Sequence, residues 1–190
     1  MPQKSRMNGS AIAFTVPGME GGESALVVAL LQERLNSLND LALTLKHIHW
    51  NVVGPHFIAV HTMLDPQVDA VRLMVDETAE RIATMGGQPM GTPGALVAQR
   101  SWDDYSIGRA DAIAHLGALD IVYDGVIAAH REAIEATEEP DPVTQDMLIG
   151  QAGQLEQFQW FVRAHLEGAD GSLATASAST ERAAAKRAAG

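Results

Sequence analysis

Cysteine is absent from the 190 residues, which excludes disulfides, thiolate nucleophiles and zinc–sulfur sites. That absence fits a reducing compartment, and the chain reads as cytoplasmic. Aromatic residues make up only 5%, and strand-like alternation of apolar and polar residues is hard to find. No apolar run approaches the roughly 18 residues of a membrane span. The opening MPQKSRMNGSAIAFTV lacks a sustained apolar segment with a small-residue cleavage site, so no secretion signal is read there. Positive charge is scarce as well: 13 Lys and Arg stand against 24 Asp and Glu, a formal charge of −11. Spread evenly, such a surface repels nucleic acid and gathers cations. None of the seven histidines has a glutamate three residues before it. The Glu-x-x-His pair that builds a di-iron site inside a helix bundle is therefore missing.

What the chain does have is helical periodicity. Apolar residues make up 46%, enough for one domain with a sizeable core. Val27, Leu31, Leu35, Leu38, Leu41, Leu45 and Ile48 recur at three- and four-residue steps, predicting a first helix from about Ser24 that stops near Asn51, before Gly54-Pro55. A second should run from about Phe57 to Met85 and end at Gly86-Gly87. Pro66 conflicts with it: either the helix kinks there, or it begins there with Asp65 as its cap. Residues 88–107 form a long connection whose apolar patch, Ala95–Ala98, can make one or two helical turns. A third helix is expected over about Arg109–Thr137 and a last one over about Pro142–Glu167. The resulting fold class is all-α: a ferritin-like four-helix bundle with a short extra helix in the connection between helices two and three. Residues 1–22 read as an extended arm, 23–168 as the bundle and 169–190 as a flexible tail.

Lys46 to Glu80 holds four of the histidines, at 47, 49, 56 and 61, followed by Asp65, Asp76 and Glu80. On a helix His61 and Asp65 share a face, as do Asp76 and Glu80. Asp65 and Asp76 differ by only about 20° around the axis, yet lie roughly 16 Å apart along it. One metal with ligands near 2 Å cannot touch both pairs. A two-fold dimer removes the difficulty: His61 and Asp65 of one chain would meet Asp76 and Glu80 of another. His49 can join the first pair across the Gly54-Pro55 turn. Two imidazoles and three carboxylates suit Fe(II) and leave room for an oxidant.

The spaced set from His49 through Trp50, Asn51, Gly54, Phe57, His61, Asp65 and Asp76 to Glu80 resembles the Dps family of mini-ferritins, the DNA-binding proteins from starved cells. The stretches GTPGALVAQRSWDDYS and FQWFVRAHLE resemble its mycobacterial type. The resemblance covers about residues 12–168. It implies a homododecameric cage that oxidises Fe(II), preferentially with hydrogen peroxide, and stores ferric mineral. The ferroxidase centre would then lie at the dimer two-fold, with His49, His61 and Asp65 from one chain and Asp76 and Glu80 from the next. Iron is the implied metal, with no organic cofactor. Trp50 resembles the family tryptophan thought to intercept radical equivalents, against a plain packing role. Asp146 and Glu156 match the acids that ring the family's three-fold pore.

DNA binding is the alternative function that the family implies. Its usual device is a basic tail multiplied over many copies. Lys4 and Arg6 supply two charges in the arm, and Arg182, Lys186 and Arg187 stand against Asp170 and Glu181 in the last 22 residues, a net of +1. The remaining histidines, His47, His56, His115, His130 and His165, read as solvated or packing residues.

Overall fold

The computed structural model of the chain describes residue 12 and residues 14–190; Lys4 and Arg6 lie outside the described residues. Its element order is α1 (Gly21–Asn51), β1 (Val52–Val53), α2 (Phe57–Thr84), α3 (Pro93–Gln99), β2 (Ala110–Asp111), α4 (Ala112–Thr137), α5 (Pro142–Arg163) and α6 (Glu181–Ala189). Helices α1, α2, α4 and α5 form the predicted four-helix bundle, and α3 is the short helix expected in the connection. α1 starts slightly ahead of the expected place, where the Glu20 amide donates to Glu23 Oε2 at 3.2 Å. Ser24 does not cap it. Buried in the first turn, the Ser24 hydroxyl donates instead to the Met85 carbonyl at 2.9 Å, tying the start of α1 to the end of α2.

The other end of the bundle is closed by two residues of parallel pairing, Val52 with Ala110 and Val53 with Asp111. Two residues carry no alternating pattern, which is why no strand is legible there. Gly54 follows at φ +94°, and a Cβ on it would meet the Asp111 carboxylate, so glycine is needed at this turn. Asp111 then caps α4 by accepting from the Ile113 amide at 2.9 Å. Met85 thus sits at one end of the bundle and Ala110 at the other. The 86–109 connection must run the bundle's length, and does.

α2 continues through Pro66, so Asp65 is not its cap. Proline removes the bond that the Thr62 carbonyl would accept, but Thr62 and Pro66 are both exposed, and that carbonyl faces solvent. The penalty is therefore small enough for packing on the buried side, by Leu64, Gln67, Val68 and Val71, to carry the helix across it.

α4 is the most apolar helix. By length and composition alone it could cross a membrane, but 56% of its most apolar stretch is buried within the fold, where it packs on α1, α5 and α6. Its packing on α6 corrects an expectation. Residues 181–189, read from composition as part of a flexible tail, form a docked helix whose Ala184 and Ala185 are buried. Alanine has the highest helix propensity, the Thr180 hydroxyl caps the first turn, and Gly117 of α4 lets the helices touch. A Cβ on Gly117 would lie 2.7 Å from both the Ala184 carbonyl oxygen and Ala188 Cβ. Glu181 adds a clamp, accepting from the amide and the hydroxyl of Ser106 at 2.7 Å each.

Two apolar clusters fill the bundle. The larger includes Leu38, Leu45, Leu64, Leu119 and Phe158, and the smaller includes Leu31, Ile82 and Leu148. Polar side chains lie in the bundle interior as well. His130 accepts no solvent: its Nδ1–H donates to the Val126 carbonyl at 3.2 Å, and Nε2 faces Gln151 Oε1 at 3.4 Å. Gln151 in turn reaches the Thr78 hydroxyl at 3.4 Å. Burial, and then the Arg34 charge, pushes the His130 pKa down to about 4 from an ordinary value of 6.5. A histidine lowered in the folded state is stabilising above its unfolded pKa. That stability drains away as pH falls from 6.5 towards 4, by about 3 kcal/mol in all. Urea midpoints measured across this range should fall with pH in the wild type and fall less in His130→Gln; parallel curves would contradict this account.

Candidate metal centre

The sequence-predicted ligands divide as helix geometry requires. His49, in the last turn of α1, and His61, in the second turn of α2, are brought together by the Gly54-Pro55 elbow. Their rings stack with centroids 3.6 Å apart and planes 24° from parallel. The hydrogen bonds are reciprocal: His49 Nδ1 donates to the His61 carbonyl at 3.0 Å, and His61 Nδ1 donates to the His49 carbonyl at 3.0 Å. Because each Nδ1 holds its proton against a carbonyl, the neutral rings keep their lone pairs on Nε2. That is the tautomer a metal ligand needs, fixed by the backbone behind it. Phe57 lies against His61 with ring centroids 4.8 Å apart and walls the pair on one side.

Asp65, one turn beyond His61, completes the half-site. Its Oδ1 lies 3.3 Å from His49 Nδ1 and accepts from Lys46 Nζ at 2.7 Å. The hydrogen bond from Lys46, aided by the Lys46 charge, outweighs desolvation and holds the carboxyl below the usual carboxylate range. Lys46 is the residue that the sequence reading missed as part of the site. The signal was there: it stands three residues before His49, on the same face of α1.

Asp76 and Glu80 are not brought to this group. Both are exposed on α2, farther along the same stripe, and neither side chain has a hydrogen bond or ion pair among the described residues. Correspondingly, no group of three or more acidic or imidazole side chains converges around a metal among the described residues. Asp65 faces the Nδ1 side of His49 rather than the Nε2 side, so the half-site alone does not close.

The other candidates are placed as follows. Trp50 is 74% exposed beside the half-site and packs into no core. His47 is tied to the Ile107 carbonyl at 2.9 Å, His56 is exposed at the start of α2 and His165 is exposed after α5. His115 is fully buried and takes a 3.0 Å hydrogen bond from the Tyr105 hydroxyl. Asp146 is exposed beside a groove it shares with Glu77 and Gln154. Glu156 already accepts from Arg131 at 2.8 Å. Arg182, Lys186 and Arg187 project from the exposed side of α6.

The sequence profile of the ferritin-like domain family matches residues 28–171. A curated relative, the DNA protection during starvation protein of Mycolicibacterium smegmatis, is 57% identical over 176 residues, covering 93% of this chain and 96% of its own. The chain belongs to the Dps family of ferritin-like proteins. Among solved Dps structures, that of Mycobacterium smegmatis superposes with a TM-score of 0.87 at 58% identity, covering 88% of this chain and 95% of the other. DpsA14 from Streptomyces coelicolor gives 0.85 at 65% identity, over 86% and 97%. A differently named relative, the fine tangled pili major subunit of Haemophilus ducreyi, is 50% identical over 159 residues, 84% of each chain. The Dps membership agrees with the bundle, its long crossover and the elbow that pairs the two histidines.

Within that frame Lys46 competes with any cation for Asp65. Lys46→Met should tighten Co(II) binding severalfold in a titration followed by the metal's visible absorption, since no ammonium then has to leave. Equal or weaker binding would mean that Lys46 positions Asp65 for the metal instead of blocking it.

Proposed function

We propose that the protein is a ferroxidase and iron store: a homododecameric cage in which two copies of the chain share each oxidation site. Fe(II), the substrate, is held by His49, His61 and Asp65 of one copy and by Asp76 and Glu80 of a second, related by a two-fold axis. The observation that carries this reading is the split of the ligands. One exposed stripe of α2 holds two half-sites roughly 16 Å apart, one with prepared imidazoles and the other with unpaired carboxylates. The same sector of α2 exposes Ile58 at 63% and Leu73 at 65%, and Leu43 and Trp50 of α1 are similarly bare. Large apolar side chains around unpaired acids are what a second copy would cover.

The chain's own groups bind and orient; none need act as a nucleophile. The two Nε2 lone pairs and the carboxylates hold the cation. Hydrogen peroxide is the preferred oxidant in this reading: two Fe(II) ions each give up one electron, the O–O bond breaks, and the oxygens leave as hydroxide or water. Trp50, at the rim, is placed to lose an electron to any stray one-electron oxidant. Asp146, whose charge is unpaired among the described residues, suits a cation inlet better than Glu156, which is neutralised by Arg131. The chain would work in the cytoplasm, with no organic cofactor and no membrane partner. Adding Fe(II) and peroxide should build a ferric absorbance, and Asp76→Ala combined with Glu80→Ala should slow its onset at least about tenfold while the helical spectrum stays intact. A wild type no faster than buffer would sink the proposal.

The alternative reading is a nucleoid protein that binds and compacts DNA, with iron chemistry secondary. The name of the Mycolicibacterium relative and three exposed cations on α6 favour it, and the net acidic charge opposes it. Gel shifts at low salt should show retarded DNA that physiological salt releases. Replacing Arg182, Lys186 and Arg187 by Gln should abolish the shift; if it persists, α6 is not the contact and the Lys4 and Arg6 arm is tested next.

A further inference from the structure

A buried cation is left over once the metal centre and the core are accounted for. Arg34 of α1 is 7% exposed, and its Nη1 has no hydrogen-bond partner among the described residues. Burial lowers its pKa against the raising charges of Glu33 and Glu132, so the guanidinium is desolvated without being directly paired. An unpaired interior charge is strongly destabilising unless something supplies an anion. Arg34 also lines a cleft of about 650 Å³ between α1, α4, the 101–106 segment and the start of α6, a size typical of small-molecule sites.

The cleft's walls say what kind of anion fits. Leu41, Ile121, Val122 and Val126 give it an apolar body, and Ser37 and Thr44 of the Arg34 face add hydroxyls. Acids line it as well, Asp40 from α1 and the others from the crossover and α6. Asp40 is engaged by Arg100 at 3.1 Å and by the Trp102 indole at 2.8 Å, Asp104 by Arg100 and Glu181 by Ser106, while Asp103 is exposed. Arg182 is the other cation on the lining. A rim with this acidic excess repels a doubly charged head, whereas the interior guanidinium demands one negative charge.

We infer that the cleft at Arg34 is a binding site for a small monocarboxylate with an apolar body, its carboxylate on the guanidinium and its hydrocarbon against α4. The site shares no lining residue with the proposed ferroxidase ligands and does not depend on them. Occupancy would supply the missing counter-charge and join α1 and α4 to the base of α6.

Calorimetric titration of the intact assembled protein with octanoate tests it, with octanol, octylamine and octyl phosphate as comparisons. Octanoate should saturate at one per chain, and each of the others should bind at least about tenfold more weakly. Arg34→Gln should weaken octanoate by a similar factor. Should that variant fail to fold, Gly125→Leu decides. Gly125 lines the cleft, and a Cβ there meets nothing within 4 Å, so the leucine fills the apolar end without disturbing α4 and should abolish binding. Absence of octanoate binding, equal affinity for octanol, tighter binding of octyl phosphate, or undiminished binding in a folded Gly125→Leu protein would each overturn the inference.

Discussion

Everything at the candidate metal centre hangs on the double hydrogen bond between two imidazoles and each other's backbone. His49 and His61 are 12 residues apart across an elbow, and each ring holds the other's peptide. The arrangement locks the exit angle of α1, the start of α2 and the tautomer of both rings at once. Gly54, at positive φ, lets the chain reverse, and the short β1–β2 pairing anchors the elbow to the start of α4. The bonds that constrain the fold locally are the same ones that orient the two imidazoles.

The helices were largely legible because their signals are long. Seven apolar positions in step define α1, Gly86-Gly87 ends α2, and Glu138 to Pro142 separates α4 from α5. The shared stripe of the candidate ligands was legible for a related reason: helical spacing assigns His61, Asp65, Asp76 and Glu80 to one face without any knowledge of tertiary structure. Three things were not. The β1–β2 pairing is too short to leave a pattern. Pro66 looked like a possible boundary because sequence alone does not reveal that Thr62 faces solvent. α6 was hidden by composition, since Ala, Ser and Thr describe a linker as well as a helix, and only the partner surface at Gly117 tells them apart. Lys46 has no ligand chemistry of its own, so spacing alone does not mark it, although it stands on the His49 face of α1.

The interior of the bundle shows how stability and function are kept apart. The core clusters are apolar, and the polar groups among them, His130, Gln151 and Thr78, are gathered beside one another. Arg34 differs from them in carrying a full charge. Its unpaired Nη1 is the kind of local inconsistency that good packing alone does not produce, and it sits where the fold leaves space.

The docking of α6 bears on how truncations of the chain are to be interpreted. Cutting the last residues removes three cations, but it also strips the cover from Gly117 and its neighbours on the most apolar helix and releases the clamp on Ser106. A shortened protein would therefore differ in surface stickiness and crossover mobility as well as in charge. Charge-neutral substitutions that leave the alanines in place are the way to separate electrostatics from lost cover.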